Sequence, residues 1–406
     1  MTAKKKPEDS DKVCSMVTPH PGPRRLLNWP DTLVDEAAFR REQAQLTRVW
    51  TFLGHTRDVA NDGDWFRTSL ATRSVFVQRF GNELRAFENS CAHRSFPLRN
   101  ADKGNGPIIC GFHHWRYNEE GHAVGIPQCP QLFGKTPKDM GAALTPLQIA
   151  TCGPLIFGRF RASGDNETLE DFLGDGFPII EALWGVPDAT HVMTREVRAN
   201  WRLCVHITVE EYHVPSVHLP YWGRGGYLRR ENIGYFRFGR HSAYITHPDP
   251  DAFSRMVAEC RAKTWRSANY RVLHIFPGFA VSHARADREH WYVSAMHFLP
   301  VAPDRTLVRF WSRLSPFPSA VEPPWYDRLL DRFSLTQRLR DRVVAYYTEK
   351  INAQDTDVCE KLQTIARQNG AAPILGRLEE RIGWFEEAYE EAMKVPAPAG
   401  VRSAAE

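Results

Sequence analysis

Cys91-Ala92-His93 and Cys110-Gly111-Phe112-His113 each offer one thiol and one imidazole, with sixteen residues between them. If these four donors meet at one centre, residues 91–113 must form two short loops held face to face. No hydropathy pattern in the chain restricts its folding as tightly. A structural zinc would accept two thiolates and two imidazoles in a tetrahedron. Zinc fingers, however, commonly place both cysteines in one knuckle and both histidines on a helix, whereas here each loop is mixed. Mixed loops suit a [2Fe–2S] cluster in which one iron takes both thiolates and the other both imidazoles. Exchanging two thiolates for neutral imidazoles removes negative charge and raises the reduction potential.

The chain has 406 residues, enough for two packed domains, and its 42% hydrophobic and 25% charged content is that of a folded protein. A net charge of +4 is too small for a dedicated nucleic-acid binder. The opening "MTAKKKPEDSDK" lacks the apolar core of a signal peptide, and no apolar run is long enough to span a bilayer. A cytoplasmic, reducing setting is therefore expected, in which paired cysteines more often bind metal than each other.

Residues 1–27 read as a flexible tail, and "DEAAFRREQAQLTRVW" (35–50) as an amphipathic helix. From 51 to about 160, "DWFRTSL", "SVFVQRF", "NELRAFEN" and "GPLIFGRF" predict short antiparallel strands cut by Gly63, Gly81 and Asn82. "NWRLCVHITVEEYH" (200–213) reads as a helix. Four long β-prone stretches follow between 233 and 314, and helices at 322–367 and 376–394 are expected to cover one face of their sheet. Residues 395–406 are expected to fray.

The loop spacing, with the flanking "HRSFPL" and "HHWRYN", resembles a Rieske [2Fe–2S] domain. His114 departs from that family, whose members usually carry Gly there, and reads as a surface or loop-packing residue. A Rieske cluster moves single electrons and does no chemistry on carbon, so a second reactive metal is expected. "EEYHVPSVH" supplies Glu210, His213 and His218. Glu210 and His213 would share a helical face, and Pro215 would break the helix so that His218 turns back to the same point. Two histidines and a carboxylate on one side of an octahedron leave positions open on Fe(II) for dioxygen. "NWRL…EEYHVPSVH" resembles the iron-binding segment of Rieske non-heme iron oxygenases, the ring-hydroxylating α-subunit family. Glu at 210 in place of Asp looks like the branch that includes choline and carnitine monooxygenases. His206-Ile207 departs from that branch, which carries an acidic residue followed by Asn.

The resemblance implies an α+β architecture: a small all-β Rieske domain at 28–165, then a helix-grip (START-like) catalytic domain at 166–394. It implies that Cys91, His93, Cys110 and His113 hold the cluster, and that His213, His218 and a late carboxylate hold mononuclear Fe(II). "INAQDTDVCEKLQ" makes that carboxylate Asp355, with Asp357 in reserve. It makes Glu210 the electron-transfer bridge between the centres, reached by His113 of a neighbour in a head-to-tail homotrimer. No glycine-rich dinucleotide fingerprint is present, so a separate NAD(P)H-dependent reductase, with or without a ferredoxin, is the expected electron source. The implied activity is that of a terminal oxygenase that hydroxylates or oxidatively demethylates a small organic substrate, or else an aromatic ring cis-dihydroxylase. A pure electron carrier would need no second site, and a zinc-stabilised binding module would be colourless. The substrate pocket is expected along the strands at 230–313, with Arg237 or Arg240 able to hold a carboxylate. Cys204 and Cys359 read as buried packing residues.

Overall fold

The computed structural model describes residues 16–20, 22–26, 33–184, 191–218, 233–246, 248–265, 270–285, 290–316, 335–368 and 371–394. The expected tail at 395–406, the start of the expected helix at 322–367 and parts of the expected pocket strands lie outside these residues.

The first helix spans Glu36–Leu46 and is capped by the Asp35 carboxylate, which accepts from the Ala38 amide. After it come two small antiparallel sheets. One orders Glu83–Glu88, Arg73–Phe80, Asp64–Leu70 and Lys103–Asn105, and the other Gln148–Cys152, Leu155–Arg159 and Thr51–His55. Phe80 pairs with Glu83 across a two-residue turn whose Gly81 has φ +56°, the left-handed geometry that tight hairpins demand. A third small sheet of Ala123–Gly125, Arg116–Tyr117 and Ile108–Ile109 carries the second cysteine loop at its end.

The rest of the chain is organised on an eight-stranded antiparallel sheet. Its order is Met16–Val17, Ile233–Phe238, His241–Thr246, Arg271–Ile275, Phe279–Arg285, His290–Ala302, Arg305–Pro316 and His191–Val197. Side chains alternate between its two faces. On one face Phe279 stacks on Phe52 with ring centroids 4.5 Å apart, and His297 and Trp311 meet the same ring edge-on. Burying one such phenylalanine stabilises by roughly 2–3 kcal/mol, so Phe52 helps to fasten the small β unit to the large sheet. The opposite face is covered by helices Leu335–Ala366 and Glu380–Met393: Tyr292 hydrogen-bonds Thr348, and Arg381 reaches Ser242.

Part of the N-terminal segment expected to be flexible is in fact paired. Met16–Val17 extends the large sheet at its edge, and Arg24–Arg25 pairs with Ile374–Leu375. Arg24 also forms ion pairs with Glu380 and Glu387, which gives this polar segment a partner that composition alone does not reveal.

A buried polar network ties three helices together. The indole N–H of Trp201 donates to one oxygen of Glu42 at 2.7 Å, and the Tyr389 hydroxyl donates to the other at 2.6 Å. Glu386 receives both the Arg202 guanidinium and His206 Nε2, the latter at 2.7 Å. Burial alone would push the Glu386 carboxyl up, but Arg202 and His206 outweigh it and hold it down at about 2. His206 is thus a packing and hydrogen-bonding residue facing the closing helix.

Candidate metal centres

The two cysteine loops are the same backbone device made twice. In the first, the Cys91 amide donates to Phe96 O and the Ser95 amide to Cys91 O, both at 2.9 Å. In the second, the Cys110 amide donates to Trp115 O at 2.9 Å and the His114 amide to Cys110 O at 3.0 Å. The fifth residue of each loop turns the chain with positive φ: Ser95 at 55° and His114 at 56°. His114 is exposed and left-handed, so it occupies a position that favours glycine on steric grounds. The sequence reading of His114 as a loop residue agrees with this placement.

These loops bring four donors together. The His93 and His113 rings lie 4.8 Å apart, and His93 stacks on the buried Trp115 indole. Cys91 and Cys110 are buried within hydrogen-bonding reach of each other. Burial pushes the Cys91 thiol up, so a thiolate there needs a cationic partner, which a bound metal supplies. Burial lowers the His93 pKa, with His113 and Arg94 adding to the effect, which favours the neutral imidazole a metal requires. His113 Nδ1 is buried with no hydrogen-bond partner among the described residues. An orphaned nitrogen beside a second imidazole, in loops that also carry two buried thiols, fits an iron–sulfur cluster. Tyr117 was not foreseen as part of this site: its hydroxyl lies 3.0 Å from Cys91 Sγ and accepts from the Ala92 amide at 3.1 Å.

The second site departs from the sequence expectation in its local structure. Helix Trp201–Thr208 ends at the Val209 cap, so Glu210 and His213 are not on a shared helical face. They meet because the chain turns: Glu210 accepts from the His213 amide at 3.1 Å with one oxygen and from His213 Nδ1 with the other. Pro215 does not break a helix but opens one, sitting in the first turn of Val214–Val217, where its missing N–H costs nothing. His218 caps that single turn.

Helix Leu335–Ala366 brings Asp355 to the two imidazoles. Asp355 Oδ1 is 3.0 Å from His218 Nε2 and 3.6 Å from His213 Nε2, and the two nitrogens are 3.3 Å apart. Asp355 Oδ1 is buried, yet its contacts lack hydrogen-bond geometry. Donor atoms from these three residues all lie within 4.8 Å of one another. Three lone-pair donors aimed at a common point, with an orphaned carboxylate oxygen among them, fit a 2-His-1-carboxylate metal site. Asp357, by contrast, is exposed and paired with Lys361 at 2.6 Å. Gln354, which sequence reasoning missed, accepts from His218 Nδ1 at 2.9 Å. Glu210 and Gln354 therefore each hold a ring by its Nδ1 and leave Nε2 facing the centre, the arrangement typical of ligating histidines. Desolvation disfavours a charge on His218, but Asp355 and Gln354 outweigh it and raise its pKa.

Two expectations do not hold. Arg237 pairs with Glu387 at 2.6 Å, and Arg240 lies in the turn between Phe238 and His241, 3.8 Å from Glu391. Arg237 is thus held by the closing helix, and Arg240 lies beside it. Cys204 and Cys359 are buried as expected, Cys359 donating to Leu203 O.

Comparison with known proteins agrees with this geometry. Residues 49–139 match the Rieske [2Fe–2S] domain, and residues 186–395 match the ring hydroxylating α-subunit catalytic domain. Choline monooxygenase of Beta vulgaris is 25% identical over 287 residues, covering 69% of this chain and 60% of that protein. The large subunit of anthranilate 1,2-dioxygenase from Burkholderia cepacia is 30% identical over 196 residues, 45% of each chain. The chain thus spans less than two thirds of the length of these relatives. Naphthalene 1,2-dioxygenase of Rhodococcus sp. superposes with a TM-score of 0.70 at 19% identity, over 90% of this chain and 94% of that one. The quaternary ammonium Rieske monooxygenase CntA, solved with L-carnitine, gives 0.67 at 15%, over 89% and 93%. The two matched regions are those that bind, respectively, a [2Fe–2S] cluster and a mononuclear iron. With its catalytic region alone matching more than half of its length, the chain belongs to the ring-hydroxylating oxygenase α-subunit family and carries a Rieske domain ahead of that region.

Proposed function

We propose that the chain is the terminal oxygenase component of a multicomponent Rieske non-heme iron system. In this reading Cys91 and Cys110 bind one iron of the cluster, His93 and His113 bind the other, and His213, His218 and Asp355 hold the mononuclear iron. When bound, the cluster supplies single electrons and the mononuclear iron offers open positions to dioxygen beside a small organic substrate. The residues of the chain prepare both sites. Glu210 and Gln354 fix the tautomers of His213 and His218, Tyr117 hydrogen-bonds Cys91 Sγ, and the unaligned Asp355 oxygen faces Nε2 of both rings. Hydroxylation or oxidative demethylation is the leading reaction. Aromatic cis-dihydroxylation is the second reading, favoured by the 30% identity to anthranilate 1,2-dioxygenase.

Glu210 is assigned the bridge between centres, and a head-to-tail homotrimer would bring a neighbour's His113 to it. Exposed apolar side chains flank both ends of such a contact: Phe112 and Leu132 beside the cluster loops, and Tyr212, 67% exposed, between Glu210 and His213. A patch meeting a different patch on the next copy closes into a ring when the rotation permits. Electrons from NAD(P)H would arrive through a separate reductase, with or without a ferredoxin, in the cytoplasm. No helix among the described residues is long and apolar enough to cross a membrane.

The convergence of His213, His218 and Asp355 carries this reading. The test is to supply the purified, iron-loaded protein with a reductase, NADH and candidate substrates and to weigh the products. Visible cluster absorption with a mass gain of one oxygen, or loss of a methyl group, supports the leading reaction. A gain of two oxygens supports the second, and a colourless protein with zinc in the first site refutes both.

A further inference from the structure

On the helix-covered face of the large sheet, three serines stand side by side on three neighbouring strands. Ser282 is opposite Ser294, and Ser294 is opposite Ser312. All three are buried, at 6%, 2% and 1% exposure. The Ser282 and Ser294 hydroxyls hydrogen-bond each other, whereas Ser312 Oγ has no partner of acceptable geometry among the described residues. Tyr292, two residues before Ser294 and hence on the same face, points its hydroxyl at Thr348 at 3.0 Å and lies within reach of Ser294 and Ser312. Five hydroxyls thus cluster in one buried place without a formal charge among them.

Thr348 connects this cluster to the iron site. It lies seven residues before Asp355 on the same long helix, with Asn352 between them donating to Thr348 O. Two turns of helix put the two side chains on one stripe, about 10 Å apart. Tyr292 and Met296 sit on an interior strand of the sheet and on the helix-covered face, yet both keep partial exposure, and Asn352 does as well. Serine and alanine side chains, including the buried Ala280 on the next strand, stand where a hydrocarbon-binding pocket would carry bulky apolar groups.

We propose that this hydroxyl cluster is the far end of the substrate site and selects a small molecule with a neutral hydrogen-bonding oxygen or nitrogen, about 10 Å from the carbon held at the iron. The proposal rests on the functional reading above and adds its substrate class. A buried hydroxyl without a partner is costly, and a ligand that satisfies it binds with an advantage that an all-carbon ligand lacks. A carboxylate or a quaternary ammonium would find no opposite charge in the cluster and would be disfavoured by its burial. Ser312 and Tyr292 are the specificity-determining residues in this scheme, and Ser282 positions Ser294.

Equilibrium titration of the iron-loaded full chain with four probes tests the idea without requiring turnover. The probes are N,N-dimethyl phenylurea (a neutral carbonyl), naphthalene, choline and anthranilate. The phenylurea is expected to bind most tightly. Tyr292→Phe and Ser312→Ala, checked for native thermal unfolding, are each expected to weaken it about tenfold, as for one buried hydrogen bond, while leaving naphthalene unchanged. Thr348→Val serves as a further variant should either of these unfold. The proposal is overturned if the phenylurea does not bind, if another probe binds as tightly, or if folded variants keep wild-type affinity. Iron content and cluster absorption of the same sample separate the two levels. Filled sites with unaltered variant affinity sink only this inference. Sites that refuse iron, with selective binding intact, sink only the functional reading.

Discussion

Around Cys91 and Cys110 one loop is built twice, each time from six consecutive residues closed by their own backbone hydrogen bonds. Around His213 the donors come from an irregular turn, the cap of a one-turn helix and a long helix much later in the chain. The first arrangement is local, and its donors are aimed by the loops that carry them. The second is tertiary: it exists only while helix Leu335–Ala366 is packed against the turn after Thr208. Damage to a donor should therefore be felt differently at the two places.

Asp355→Ala gives the largest effect. Turnover is expected to fall by about 10³-fold or more, with mononuclear iron lost but cluster absorption and reducibility retained. Loss of the cluster in that variant would break the contrast. Next is Glu386→Gln, which removes the buried negative charge facing Arg202 and His206 and is expected to cost about 3 kcal/mol of stability. The wild type should also show the matching pH slope. Glu386 sits at about 2 against an ordinary 4.5, so its contribution is full above about 4.5 and lost as pH falls towards about 2. Chemical denaturation across that range is expected to show a shallower slope in the variant. Glu210→Gln keeps a hydrogen-bond acceptor for His213 but removes the charge. Turnover is expected to drop about 10–100-fold with iron content nearly preserved, and single-turnover reoxidation of the cluster should slow in parallel. Tyr117→Phe removes the hydroxyl from Cys91 Sγ. A loss of about 1 kcal/mol lowers the cluster potential by about 40 mV, read by redox titration, and leaves the second site untouched. His114→Gly is smallest: relief of a left-handed side chain is expected to stabilise the Rieske unit by about 1 kcal/mol, seen as a raised thermal midpoint.

The same contrast explains what could be read from the sequence. Both cysteine loops were legible because each donor pair is separated by only one or two residues, so spacing alone encodes geometry. The strands flanking them were legible through hydrophobic alternation and the glycines at their turns. The His213 and His218 pair was legible as a residue set but not as a shape. Helical periodicity runs on through Glu210, yet the helix stops at Thr208 and the chain turns on the Glu210 carboxylate instead. Asp355 and Asp357 are both acidic residues on one long helix, and only packing decides that Asp355 faces inward while Asp357 pairs with Lys361. Arg237 and Arg240 looked available because nothing nearby in sequence announces Glu387 and Glu391. Gln354 and Tyr117 act through contacts made across the fold, and no local pattern marks them.

Glu42, Trp201 and Tyr389 meet in one buried knot although they belong to the first helix, the iron-side helix and the last one. A growing polypeptide leaves the ribosome from its amino end, so the two cysteine knuckles can close while most of the catalytic region is still unmade. The knot cannot close until the final helix has emerged. The Tyr389 hydroxyl therefore completes the knot only after both knuckles have been synthesised.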